Sequence, residues 1–276
     1  MTPNPAPATE TLSLELCPSG VLKVTLQRER RHNAFNAQVI QELSEAFGWA
    51  DQADAVRVVL LQGAGPSFSA GADIEWMRQQ GSLGHAENVE SARQMASCFE
   101  AIHSCRKPVV AAVHGAALGG GTGLTAAADI AICEESTVFG FTEVRLGILP
   151  AVISPYVVEK LGSARARALF LLGSRFRGRE AERLGLVFRC VPDGQLEAEV
   201  EGCLAELSKG APSALIASKR LALSLNTLPP AGRMDFCAEE IARQRGTLEA
   251  QEGLAAFLDK RQAKWIQSGS SEEKNA

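Results

Sequence analysis

Alternating apolar and polar positions open the chain. LSLEL (12–16) and VLKVTLQ (21–27) read as two short strands, with Pro18-Ser19-Gly20 between them as a hairpin turn. From Asn36, which suits a helix N-cap, the period becomes helical: Val39, Ile40, Leu43, Ala46 and Phe47 fall on one face. VRVVLLQG (56–63) is a continuous apolar run ended by glycine, the pattern of a strand buried on both faces. From Glu87 to Ser104 the spacing is helical again, with Met95, Phe99 and Ile102 together. Lys107-Pro108 leads into a second buried strand, VVAAVHG (109–115), then a Gly-rich turn, the small-residue helix TGLTAAA and the strand DIAICEE (129–135). Beyond about residue 152 strand signals thin out, and amphipathic stretches continue to Trp265.

Strands alternating with helices imply right-handed crossovers and parallel pairing, hence an α/β fold class with a mainly helical last third. The expected divisions are a disordered arm over 1–11, a core over 12–195, a helical region over 196–266 and a disordered tail over 267–276. Composition supports a sizeable core: 276 residues, 46% of them hydrophobic. A formal net charge of −4 gives no long-range attraction to nucleic acid. The arginines at 165, 167, 175, 177, 179 and 183 are interleaved with Glu180 and Glu182, which reads as a solvated or subunit-facing surface. Seven cysteines show no CxxC pair and no metal-type spacing. They read as reduced thiols of a cytoplasmic protein with no metal site. The N-terminus resembles neither a secretory signal nor a transit peptide, and no stretch is apolar and long enough to span a bilayer.

Candidate chemistry concentrates after the two buried strands. In Ala117-Leu118-Gly119-Gly120-Gly121-Thr122-Gly123, glycines allow a ligand close to the backbone, and the helix start behind them offers free N–H groups to a developing oxyanion. The segment lacks the Lys-Ser/Thr of a P-loop and does not give GxGxxG. Phe68-Ser69-Ala70-Gly71-Ala72-Asp73 follows the other buried strand in the same way. Two such loops side by side could hold one carbonyl oxygen with two donors. Asp73 reads as a loop cap. His114 reads as a hydrogen-bonded core residue, and His103 and Cys105 as a helix end. His32 and His85 read as loop residues.

PSFSAGADIEWM, KPVVAAVHGAALGGGTGL and FGFTEVRLGILP, followed by AERLGLV, resemble the successive motifs of the crotonase (enoyl-CoA hydratase/isomerase) superfamily over residues 12 to 265. The resemblance implies a spiral of ββα units with a helical C-terminal trimerisation region, and a homotrimer or hexamer. The implied substrate is an acyl-CoA bound without any separate cofactor. By resemblance, Ala72 and Gly120 supply two oxyanion-binding amides, and Glu143 is the catalytic carboxylate. Ala70, Arg30, Arg31, Phe257 and Lys260 fall at coenzyme-A-contacting positions.

Gly123 stands where simple hydratases of this family carry a second glutamate. One carboxylate must then do both proton transfers, or the reaction needs only one base, as a Δ3-Δ2-enoyl-CoA isomerase would. The run GGGTGL with FGFTEVRLGILPAVISPYV resembles bacterial methylglutaconyl-CoA hydratases and the related isohexenylglutaconyl-CoA hydratases. That resemblance makes a hydratase (lyase) of 3-branched, carboxylated 2-enoyl-CoAs the leading expectation, with isomerase second and a non-enzymatic nucleic-acid-binding or scaffold protein third. Loss of a carboxylate at 123 would ease entry of an acidic acyl chain. Arg78 and Arg145 are the candidate partners for its distal carboxylate, and Gly120→Val is expected to block the site without unfolding the chain.

Overall fold

The structure, a computed structural model, describes residues 5–266. β1 (Leu12–Leu16) and β2 (Val21–Leu26) pair antiparallel through a turn in which Gly20 takes φ +84°. A short 3-10 helix (Glu29–Arg31) leads to α1 (Ala37–Gln52), whose Asn36 cap accepts from the Val39 amide. β3 (Val58–Gly63) then lies parallel to β2. After α2 (Ile74–Gly81) and α3 (His85–Ser104), β4 (Val109–Val113) joins β3 in parallel. All five residues of β4 are buried, as its unbroken apolar run requires.

A second sheet starts at β5 (Ala116–Leu118), which runs directly into α4 (Gly120–Ala127). β6 (Ile130–Glu134) returns to the first sheet, and β7 (Val138–Gly140) pairs with β5. α5 (Ser154–Leu172), β8 (Arg175–Arg177), α6 (Gly178–Leu184) and β9 (Arg189–Val191) follow. The six-stranded sheet has the order β1-β2-β3-β4-β6-β9, and the three-stranded sheet β5-β7-β8. From β4 onward, successive turns of chain place one strand in each sheet, and α4 is buried over residues 121–127. The core includes Phe35, Phe47, Phe68, Phe99, Phe139 and Phe141, each at most 2% exposed. Cys98, Cys105, Cys133 and Cys190 are also buried.

The described chain divides into two compact units at Gly202/Cys203, within α7 (Leu196–Lys209). The second unit contains α8 (Pro212–Thr227), α9 (Pro230–Arg245) and α10 (Leu248–Leu258). Within it, the Ser213 amide donates to Glu249 at 2.8 Å and the Trp265 indole to the Lys209 carbonyl at 3.0 Å. Met234, Leu248, Phe257 and Leu258 are exposed on this unit.

Several features differ from the sequence pattern. β5, β7, β8 and β9 have three residues each, too few to show a period of two, and β8 and β9 fall in the region where strand signals thin out and mainly helices are expected. α2 was not foreseen. Asp73 caps it by accepting from the Glu75 amide, and His85 begins α3 instead of lying in a loop. Part of the expected N-terminal arm is fixed: Glu42 accepts from the Glu10 amide and from the amide and hydroxyl of Thr11 at 3.0, 2.9 and 2.6 Å. Residues 1–4 and the expected tail over 267–276 lie outside the described residues. No helix among the described residues is long and apolar enough to cross a membrane.

Candidate active site

The loop after β3 and the turn before α4 meet backbone to backbone. Gly71, at φ +89°, makes this possible: a Cβ there would lie 2.6 Å from the Leu118 carbonyl and 3.2 Å from the Gly120 amide nitrogen. Phe35 holds the loop in place. Its amide donates to the Gly71 carbonyl at 2.7 Å, and its carbonyl accepts from Asp73 at 2.8 Å. Both neighbours of Ala72 are therefore turned towards Phe35, which leaves the Ala72 N–H pointing away. Gly120 is the first residue of α4, so its N–H has no intrahelical acceptor. Among the described residues neither amide donates a backbone hydrogen bond, and both line one cavity of about 420 Å³.

Glu143 reaches the same place from the second sheet. It begins a 3-10 helix (Glu143–Leu146) just after β7, and its Oε1 stands over the turn, 3.1 Å from where a Cβ on Gly119 would be. Its Oε2 is buried without a hydrogen-bond partner. Burial pushes the carboxyl above the usual carboxylate range, slightly offset by its own backbone amide. A buried, unsatisfied carboxylate oxygen is costly unless a ligand or water uses it. Two free amides beside a lone acid with a raised pKa can polarise a carbonyl and move a proton at the adjacent carbon.

Most of the remaining cavity wall is apolar, with Met77, Met95, Leu146, Ile148 and Val152 among its residues and Asn88 and Thr142 as its polar ones. Gly123 is not among them. A Cβ at Gly123 would lie 2.3 Å from Ile153 Cγ2 and 3.1 Å from Phe99 Cε1. The space in front of Gly123 is thus filled by the Ile153 side chain, which itself lines the cavity.

Gly120 is equally tight, since a Cβ would come 2.5 Å from Phe35 Cε2. A valine at 120 would displace a core ring, so the expectation that it would only block the site does not hold.

A second cavity, about 660 Å³, shares Ala70, Ala72 and Ile74 with the first. It brings together Arg30, Arg31 and Arg78. Arg145 lines neither cavity; it lies along Gly173 instead. Neither arginine named for a distal carboxylate therefore faces the apolar chamber, which has no basic residue in its walls among the described residues. Phe257 and Lys260 belong to the second unit, where Phe257 is exposed and Lys260 adopts φ +55° just after α10.

The residues set aside are accounted for by ordinary contacts. His114 Nε2 meets the Gly65 carbonyl at 2.9 Å, although the ring is only half-buried. His103 pairs with Glu159 at 3.3 Å, and His32 with Ser67 at 3.1 Å. Arg179 pairs with Glu135, and Arg183 with Glu180, on an exposed surface.

Arg28, which carried no assignment in the sequence, spans the site's base. Its guanidinium donates to the Ala34 carbonyl and contacts Asp73 at 3.3 Å. The motif RERRHNAF gave only a cluster of basic residues, with nothing to distinguish this one.

Fold and site together define an α/β protein that sets two free loop amides beside one buried carboxylate in an apolar-walled cavity. The family model for enoyl-CoA hydratase/isomerase matches residues 17–268, and the chain belongs to that family. It is similar to Pseudomonas aeruginosa AtuE, with 39% identity and a TM-score of 0.90 over 94% of this chain and all of that one. An enoyl-CoA hydratase from Shewanella pealeana shares 35% identity at a TM-score of 0.88, covering 93% of this chain and 96% of the other. The mevalonyl-coenzyme A hydratase SIDH of Beauveria bassiana is 30% identical over 271 residues, 95% of this chain and 97% of that protein.

Proposed function

We propose that the protein hydrates 3-branched 2-enoyl-CoAs reversibly, with 3-methylglutaconyl-CoA as the leading substrate. The amides of Ala72 and Gly120 bind the thioester oxygen. Ionised Glu143 takes a proton from water as its oxygen bonds to C3, and returns a proton to C2 as the enolate collapses. The carboxylate ends ionised and the substrate has gained H and OH.

The observation that carries this reading is the buried, unpartnered Glu143 Oε2 beside the Gly119-Gly120 turn, in a chamber whose second carboxylate position is filled by Ile153. A single carboxylate suits 3-branched substrates because an alkyl group at C3 stabilises the positive character that develops there as the C–O bond forms or breaks. Such a carbon needs least help from a second base.

Arg30 and Arg31 would face the coenzyme-A phosphates with Ala70 beside the adenine, and no further cofactor is needed. We also propose assembly into trimers or hexamers that bring Phe257 and Lys260 to a neighbour's nucleotide. The exposed apolar residues of the second unit support this.

Incubation with crotonyl-, 3-methylcrotonyl- and 3-methylglutaconyl-CoA in ¹⁸O-water, with products identified by mass, tests the reaction. The expected result is one ¹⁸O at C3 and faster turnover of the branched substrates. Faster hydration of crotonyl-CoA than of every branched substrate would overturn the substrate class. The sole carboxylate also suits allylic isomerisation; reaction of 3-enoyl-CoAs without uptake of ¹⁸O would put that reading in place of hydration.

A further inference from the structure

The apolar chamber does not end at Met77 and Met95. A smaller cavity of about 220 Å³ continues from it between α2 and α3, sharing Met77, Asn88, Ala92, Met95, Ile148 and Val152 with the first. Its wall on α2 is Trp76, Met77, Gln80 and Gly81; its wall on α3 is Asn88, Ser91, Ala92 and Met95. These spacings of three and four each present one helical face to the space. To the mainly apolar walls of the first chamber this annex adds the half-buried Gln80, Ser91 and Trp76, with the more exposed Asn88 at the junction. Every one of these polar groups is uncharged. Among the described residues, no Lys, Arg, Asp, Glu or His lines the annex.

We propose that the annex receives the far end of the acyl chain, and that the group it selects is a hydrogen-bond-accepting oxygen held by the neutral donors of Asn88, Ser91 and Gln80. The inference rests on the acyl-CoA reading above and adds the substrate's distal chemistry to it. An apolar corridor that ends on amides and a hydroxyl rejects a purely hydrocarbon tail, because donors that lose water and gain no acceptor are left unpaired. A carboxylate gains these hydrogen bonds but no salt bridge, and a hydroxyl or carbonyl makes the same contacts with less desolvation. The shared recognition element is therefore the accepting oxygen.

Two measurements test this. Saturated acyl-CoAs of one chain length, ending in methyl, hydroxyl or carboxylate, are bound while Trp76 emission is followed, with Trp76→Phe as the control for the other tryptophans. This needs no turnover, so a failed hydratase assay and a failed annex assignment give different results. Polar-ended chains are expected to change Trp76 emission and to bind about tenfold or more tightly than the methyl-ended chain. The ranking of hydroxyl against carboxylate tells which source of the oxygen is preferred. In the matching 2-enoyl series, kcat/KM for polar-ended over methyl-ended substrate is expected to fall about tenfold in Asn88→Leu and in Ser91→Ala. The near-isosteric Asn88→Asp, which replaces two donors by an anion, is expected to lower the carboxylate-ended substrate most. A polar-to-apolar ratio unchanged in all three variants, or equal binding of the three saturated ligands, overturns the assignment.

Discussion

Ile153 occupies the space above Gly123: a Cβ built on the glycine would lie 2.3 Å from Ile153 Cγ2. The one-carboxylate site is therefore a packing arrangement of two positions, and Gly123→Glu alone forces a side chain into a filled core. The single variant is expected to be destabilised by about 1–3 kcal/mol or more. Gly123→Glu with Ile153→Ala makes room for the carboxylate. The double variant is expected to recover stability and to gain crotonyl-CoA hydration relative to the wild type. Thermal denaturation and turnover measured on both variants check this, and loss of crotonyl-CoA activity in a folded double variant would contradict it.

Among the described residues, Glu143 is the only titratable side chain lining the apolar chamber. Glu143→Gln keeps its shape and removes proton transfer, so kcat is expected to fall on the order of 10²–10⁴. Binding of a saturated acyl-CoA should change little, because the two amides and the apolar walls remain. Near-wild-type turnover in this variant would remove Glu143 from the mechanism.

Stability and activity should oppose each other at the same residue. Burial raises the Glu143 pKa above its unfolded value. Below the ordinary carboxylate pKa both folded and unfolded chains carry the neutral acid, and there is no penalty. As pH rises through the raised value, the folded chain must bury a charge that the unfolded chain exposes to water, and stability is lost. Glu143→Gln is therefore expected to have a higher Tm than the wild type at pH 8, with the gap closing towards pH 4. The acidic limb of kcat/KM for hydration, which needs the ionised form, should lie above the usual carboxylate range. A Tm difference independent of pH would contradict the assignment.

Much of this was legible where the information is local. Asn36 caps α1 through a backbone amide three residues away, which a sequence pattern carries directly, and Asp73 was legible as a cap although the helix it caps was not. β3 and β4 were legible because burial on both faces leaves an unbroken apolar run. The three-residue strands were not, since their pairing is set by partners far along the chain. The site divides in the same way. The loops carrying Ala72 and Gly120 follow their strands in sequence, whereas the contacts of Gly123 with Ile153, of Gly120 with Phe35 and of Arg28 with Asp73 join segments 30, 85 and 45 positions apart. Glu42, an ordinary polar position in the helical pattern of α1, binds Thr11 only because β1 lays the start of the chain beside it.

Arg28 gives the most direct test of how the Ala72 donor is aimed. Its guanidinium binds the Ala34 carbonyl and the Asp73 carboxylate, and these residues flank Phe35 and Ala72, which pair with each other. Asp73 is also fixed from its other side, by capping α2. The pair is mostly shielded from water, with side-chain exposures of 19% and 13%, so salt should weaken it little. Arg28→Met removes the brace without placing a new charge beside the amides, although it leaves Asp73 without its cation. Arg28→Lys keeps the charge but cannot span both acceptors with the same planar geometry. A donor displaced by about 1 Å can cost on the order of 10²-fold in rate. Both variants are therefore expected to lose about ten- to a hundredfold in kcat, with KM much less affected. A purely structural role would lower Tm and the active fraction but leave the bound substrate's polarisation intact. The discriminating readout is the absorption red shift of a bound conjugated enoyl-CoA, which reports how strongly the thioester oxygen is held. It is expected to shrink in Arg28→Met and to be partly restored in Arg28→Lys; an unchanged shift in a folded, slow variant would confine Arg28 to stability.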